Sequence, residues 1–333
     1  MIDADTLAAT PEWLPFELDP ANDRVALLRM SEADYKAASF LDQRALKPGA
    51  EFRQADWAEL AMPAAARRDA DYIFHIGNVG STLISRLLGE LDSVLALREP
   101  LMLRTFAETL PSDARFDTLA ALLSRTFRPG QRANVKATSF TSEIADRFVR
   151  PGARALLLYA TPQHYLENIL AGENSWQTLQ ALSPVRLARL QDRCPGLIAD
   201  LDRMSDALKA TLGWACEMTS LQKAGEKLAS GTVLWMDFDR FLTDPAAHFT
   251  AIAGHFGHAV EPASARAICE GPLMRRYSKA LEYEYSPALR REILADARRR
   301  HAGAIRDALN WLETLQSRYP AVAQAIRTAQ GEA

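Results

Sequence analysis

The chain has 333 residues, of which 48% are hydrophobic and 24% charged, with a formal net charge of −3. This length accommodates one large α/β domain or two smaller ones, and the composition is that of an ordinary soluble globular protein. The slightly acidic balance excludes a general attraction to nucleic acid or to an anionic membrane surface, so any anion site must come from cations placed locally. Cys194, Cys216 and Cys269 form no C-x-x-C pair and read as reduced thiols packed as small core residues. The first residues, MIDADTLAATPEWLPFELD, carry acids and lack a long apolar core, and no stretch reaches transmembrane length. A cytoplasmic location, with no membrane partner, is the expectation.

Residues 1–68 are expected to form an N-terminal extension packed on the main domain. Pro11, Pro15 and Pro20 punctuate its start, and Val25–Leu28 is expected as an edge strand. Ser31 and Asp34 form a capping-box pattern that predicts a short helix through Leu41. A second short helix is predicted over Pro63–Arg68. From residue 69 to 333 strands and helices alternate. Strands are predicted at Tyr72–Ile76, at Val94–Leu97, around Asn134–Lys136, at Ala155–Tyr159 and at Thr232–Met236. The run Ala155–Tyr159 is apolar throughout, as in buried parallel strands. Helices are predicted over 101–110 and 116–127, and from Pro162 at a first helical position to Ala171. A helical insert at about 172–229 follows, then helices at 245–257, 262–269, 287–317 and 319–329. This alternation implies a central parallel sheet with helices on both faces and additional helical insertions.

The segment between the first strand of this sheet and its helix reads Gly77-Asn78-Val79-Gly80-Ser81-Thr82. Glycines at 77 and 80 allow a curled backbone, and the following helix presents free N–H groups and a partial positive charge. Together they make a phosphate cradle; the plainer alternative is a strand–turn–helix in which glycine serves the turn alone. A Walker A loop would need Gly at His75 and Lys at Ser81, so an ordinary ATPase or GTPase is disfavoured. The expected fold class is a three-layer α/β fold whose strand–loop–helix unit resembles that of P-loop NTPases, with a variant loop. Ligands of open α/β sheets sit at the carboxyl ends of the strands. The residues there are His75–Thr82, Arg98-Glu99-Pro100, Lys136–Ser139, Thr161–His164 and Asp237–Arg240. Of these, His75 reads as a hydrogen-bonded structural residue and His164 as an exposed one. The Arg290–Arg300 cluster alternates with acids and reads as an amphipathic surface helix. His248, His255 and His258 lie close in sequence without a completing carboxylate, so no metal is expected.

Several of these segments resemble the sulfotransferase family. Its 5′-phosphosulfate loop commonly reads Lys or Arg, any residue, Gly, then two hydroxyl residues. Val79-Gly80-Ser81-Thr82 fits, with Asn78 where the family has the cation. VLALREP resembles the strand that carries the catalytic glutamate in tyrosylprotein and some bacterial sulfotransferases, which implies Glu99 as general base. RALLLYATPQHYLEN stands at the family's 3′-phosphate site, with Ala160 at the usual Arg and Asn168 at the usual Ser. TVLWMDFDRFLTDPAAHFTAIAGHFG resembles a late strand and helix of the family. Gly271–Ala280, with Arg275, Arg276 and Lys279, resembles a basic loop that closes over the nucleotide. The likeness covers about residues 71–285. It implies transfer of a sulfuryl group from 3′-phosphoadenosine-5′-phosphosulfate (PAPS) to a hydroxyl or amine of a small-molecule or peptide acceptor. The product would be 3′,5′-ADP, and no metal or nucleic acid is implied. Gly77, Asn78, Val79, Gly80, Ser81, Thr82, Asn168, Arg275, Arg276 and Lys279 would bind the nucleotide. Because Asn78 is uncharged, Lys136 or Arg98 is expected to supply the missing catalytic cation. The alternatives are a P-loop phosphotransferase, with Asp237 and Asp239 to hold Mg²⁺, and a non-catalytic nucleotide-binding protein.

Overall fold

The computed structural model describes residues 4–331. Three N-terminal strands come first: β1 (Trp13–Asp19), β2 (Arg24–Arg29) and β3 (Phe52–Asp56). They form an antiparallel sheet in the order β1-β2-β3, so the segment expected at an edge, Val25–Leu28, is central instead. β1 escapes sequence reading because Pro15 looks like a breaker. It lies on an edge strand where the register shifts between Pro15 and Glu17, a place that tolerates a missing N–H. Val25 and Leu27 are fully buried, and Arg125 donates to the carbonyls of Leu7, Thr10 and Trp13, tying this sheet to the rest.

Two helix expectations fail nearby for local reasons. The Ser31 capping box forms, but its helix ends at Ala37, short of Leu41. The carbonyls that would continue it are taken by the buried Arg98 guanidinium. Pro63–Arg68 makes one turn closed by Ala66 N–H on the Pro63 carbonyl and no helix. Arg68 bonds the carbonyls of Ala64 and Ala66, substituting for a further turn.

The main sheet is parallel and contains β4 (Asp71–His75), β5 (Val94–Arg98), β6 (Arg132–Lys136), β7 (Ala155–Tyr159) and β8 (Val233–Asp237), in the order β5-β6-β4-β7-β8. Every residue of β4, β5 and β7 is buried, as expected when helices cover both faces. The chain leaves β4 toward one edge and β7 toward the other. Right-handed crossovers in opposite directions put their helices on opposite faces. The Ser81–Leu88 helix accordingly packs on β4, β5 and β6, and the Asp206–Lys227 helix on β4 and β7. β4 stands at the centre, so its carboxyl end opens at the point where the crossovers diverge. The register aligns Lys136 with Ile73 and Arg98, His75 with Leu158, and Tyr159 with Asp237, which gathers the strand ends along one rim.

The helical insert is two helices, Glu173–Arg193 and Asp206–Lys227, separated at Pro195-Gly196 where Gly196 turns left-handed. The run predicted over 287–317 breaks at His301 into Pro287–Arg300 and Ala302–Arg318. Among the described residues no helix is long and apolar enough to cross a membrane.

Candidate functional site

The loop after β4 is held in a left-handed curl: Gly77, Asn78 and Gly80 have φ of 85, 55 and 67°. Gly80 cannot be replaced by anything larger. A Cβ there would stand 1.9 Å from the Phe238 ring, in a backbone conformation that L side chains resist. His75 is the brace beneath the curl, as its structural reading expects. Its Nε2 lies 2.9 Å from the Ala137 carbonyl, and the Gly77 N–H donates to its Nδ1 at 3.0 Å. Both bonds require a neutral ring with its proton on Nε2. Burial, reinforced by the charge of Lys136, holds its pKa well below 6.5 and keeps it so. The backbone N–H groups of Val79, Gly80, Ser81 and Thr82 bond to no acceptor among the described residues. Ser81 and Thr82 are buried in the first helical turn, and the Thr82 hydroxyl has no protein partner.

On the β5–β6 side stands an ion pair. Glu99 adopts φ 52°, uncommon for a glutamate, fixed by its N–H donating to the Lys136 carbonyl at 2.7 Å. Lys136 is fully buried and its ammonium bonds the Glu99 carboxylate. The other Glu99 oxygen lies 3.5 Å from Arg44 of the N-terminal region. The Glu99 side chain keeps 13% of its surface exposed, against 1% for Lys136, so the carboxylate alone of the pair can meet a ligand. Burial pushes the Lys136 pKa down, and Glu99 opposes this. Arg98 does not belong to the site. Its guanidinium donates to the carbonyls of Ala38, Tyr35 and Lys36 at 2.7, 2.6 and 2.9 Å, where it complements a helix C-terminus. With its guanidinium spent on these carbonyls, Arg98 is not the replacement cation expected of it.

On the β7–β8 side a chain of polar contacts runs back to the loop. His164 Nδ1 is 3.0 Å from Asp239, and Arg290 Nε donates to the same carboxylate at 3.1 Å. Arg290 also reaches the Asn168 side-chain oxygen at 3.4 Å, and the Asn168 amide donates to the Asn78 carbonyl at 2.8 Å. Asn168, expected at a 3′-phosphate, thus spends its amide on bracing the loop. His164, expected exposed, is ion-paired. Arg290, expected on a surface face, is 8% exposed. The signal was present: Arg290, Leu294 and Ala297 share the buried stripe of their helix at positions i, i+4 and i+7. Arg298 of the same helix pairs with the fully buried Glu167.

The Asp239 hydrogen bond raises the His164 pKa above 6.5, against the opposing effect of burial. A raised histidine pKa contributes its full stabilisation below the unfolded value, and that contribution is lost as pH rises through the folded value. The stability gap between wild type and His164→Gln, measured by urea unfolding, is expected to be larger at about pH 6 than at about pH 9. An equal gap at both pH values would mean that the imidazole is neutral throughout.

The segment after Gly271 crosses the loop. Arg86 of the loop helix donates to the Ser278 carbonyl at 2.9 Å, and Lys279 Nζ reaches the Asn78 side-chain oxygen at 3.4 Å. Arg275 and Arg276 are exposed and instead line an open cleft with Glu270, Glu284 and Glu292. Of the three cations expected over the nucleotide, Lys279 is the one at the loop.

The solved structures this chain resembles include sulfotransferases. The sulfotransferase domain from the curacin biosynthetic pathway is 13% identical over 81% of this chain and 99% of that one, with a TM-score of 0.47. A sulfotransferase from Mycobacterium avium is 13% identical over 71% and 77%, at 0.37. A mouse sulfotransferase complexed with PAP is 11% identical over 61% and 65%, at 0.32. No protein-family profile and no curated protein matches the chain. Likeness at this level says nothing of individual residues, whose roles rest on the geometry above.

That geometry fits a phosphate. Four unbonded N–H groups, a buried hydroxyl without a partner and the end of an eight-residue helix converge on one curl. It fits a Mg²⁺–triphosphate poorly. Asp237 caps its own helix by accepting the Arg240 N–H at 2.8 Å, and Asp239 is held by His164 and Arg290.

Proposed function

We propose that the chain is a PAPS-dependent sulfotransferase acting on a hydroxyl or amine of a small-molecule or peptide acceptor. The observation that carries this reading is the unbonded N–H row of Val79–Thr82, with the exposed edge of Glu99 on the same rim of the sheet. PAPS would bring the sulfuryl group, and 3′,5′-ADP would leave. The loop N–H groups and the Thr82 hydroxyl hold the 5′-phosphate. Glu99 takes the acceptor proton on a carboxylate oxygen. Lys136 is a positioning residue: buried behind Glu99, its ammonium bonds the carboxylate and fixes where it points. Arg44 contacts Glu99 from the N-terminal region, which supports a role for residues 1–68, with the helices at about 172–229, in shaping the acceptor side. A cytoplasmic location belongs to the same proposal. The absent Walker lysine and the occupied Asp237 and Asp239 weigh against a phosphotransferase.

Calorimetric titration with 3′,5′-ADP, 5′-AMP and ATP–Mg²⁺ in parallel tests the reading. Preference for 3′,5′-ADP over 5′-AMP by at least tenfold, about 1.4 kcal/mol, is the expected result. Preference for ATP–Mg²⁺ would replace the reading with phosphoryl transfer. Thr82→Val is expected to hold or raise thermal stability, because a buried hydroxyl without a partner is removed, while weakening 3′,5′-ADP binding by roughly tenfold. Unchanged affinity would remove the Thr82 hydroxyl from the 5′-phosphate site.

A further inference from the structure

We infer that the cation missing from the loop at Asn78 is supplied from 201 residues away by Lys279, and that its ammonium serves the 5′-phosphate of the nucleotide. The inference rests on the reading of the loop as a nucleotide site. Residue 78 has φ 55°, a left-handed conformation that asparagine tolerates and lysine resists. A cation is thus poorly placed on the loop itself, and the chain brings one to it from outside. The carrier is a folded turn. Tyr277 N–H donates to the Tyr283 carbonyl, Ala280 N–H to Tyr277 and Tyr283 N–H to Ala280, with Arg276 and Glu284 bridged at its base. Lys279 lies within this turn, and Arg86 pins the neighbouring Ser278 carbonyl to the loop helix. Arg86 is itself buried and also donates to Ser39, so the turn, the loop helix and the N-terminal region meet at one guanidinium.

The ammonium faces a defined set of charges. Glu99 and Arg44 lie close enough to act on it, and its own charge reaches Lys136 and His75. Lys279 therefore belongs to the same electrostatic unit as the Glu99–Lys136 pair and the loop. Lys136 is committed to Glu99 and Arg98 to backbone carbonyls. Lys279 makes a single long contact to a neutral side-chain oxygen and retains donors for a phosphate. Because it rides on the segment that crosses the loop, the site gains its cation when that segment is in place.

The test is titration of wild type and Lys279→Gln with 3′,5′-ADP and with adenosine 3′-phosphate, which lacks the 5′ group. Lys279→Gln is expected to weaken 3′,5′-ADP binding at least tenfold and to change adenosine 3′-phosphate binding by less than about twofold. The thiol of Lys279→Cys can then be aminoethylated selectively, since the three native cysteines are buried. Restoring the charged amine should restore affinity to within about threefold, and capping the thiol with a neutral amide should not. Equal affinity of wild type and Lys279→Gln for 3′,5′-ADP overturns this inference alone. So does an equal loss for both ligands, which would assign the lysine to the 3′ side. Failure of the wild type to bind 3′,5′-ADP at all overturns the nucleotide reading and this inference together.

Discussion

Glu99→Gln is expected to abolish sulfuryl transfer and, unusually for a substitution at a general base, to destabilise the protein by about 3–5 kcal/mol. The reason is Lys136. Its ammonium is fully buried and Glu99 is its bonded counter-ion. A neutral amide leaves a buried charge without a partner, which costs more than the ion pair itself contributes. Urea unfolding should show a lower midpoint for Glu99→Gln. Adding Lys136→Met removes the stranded charge at similar volume and should recover most of the loss. The double variant should still fail to turn over in any acceptor assay that the wild type supports. A Glu99→Gln protein as stable as wild type would deny the pair its structural role, and one that still transfers would place the base elsewhere.

Gly80→Ala should be the most damaging single-methyl change in the chain. The left-handed backbone costs an alanine about 1–2 kcal/mol, and the Cβ would lie 1.9–2.5 Å from three atoms of the Phe238 ring. Relieving such overpacking typically costs a further 1–3 kcal/mol or so. Phe238 cannot yield freely, because it stacks on Phe241 with ring centroids 6.1 Å apart and lies under the Arg290 guanidinium. The total is about 2–5 kcal/mol, and nucleotide affinity should fall as the curl opens. Phe238→Leu in the Gly80→Ala background should recover part of the stability, while leaving the backbone strain. Full stability of Gly80→Ala alone would mean that the loop and the β8 end are not packed against one another.

These effects separate what the sequence displays from what it hides. Strand β7 was readable because a buried parallel strand is a short apolar run set between helical periods, as in Ala155–Tyr159, whereas β6, Arg132–Lys136, carries three polar residues and was legible from its place in the alternation. The loop was readable because Gly77 and Gly80 interrupt a strand and open a helix. The N-terminal sheet was not, since Pro15 sits at a register shift that cannot be seen without its partner strand. Within the site, Glu99 and Lys136 both follow from the rule that strand ends carry ligands. Their pairing, and the diversion of Arg98 into a helix terminus, depend on register between β5 and β6. The place of Arg290, and which of the three basic-loop cations meets Asn78, were hidden, because each contact spans more than a hundred positions. An arginine in an otherwise apolar stripe was the available clue for the first. For the second, the clue was the run of three cations at Arg275, Arg276 and Lys279.

A crystal structure of the protein with 3′,5′-ADP tests the nucleotide site most directly. The 5′-phosphate is expected about 3 Å from the N–H groups of Val79–Thr82, with Lys279 Nζ on the same phosphate. A nucleotide found elsewhere, for instance in the cleft of Arg275 and Arg276 with the Val79–Thr82 N–H row bonded to no phosphate, would contradict this placement.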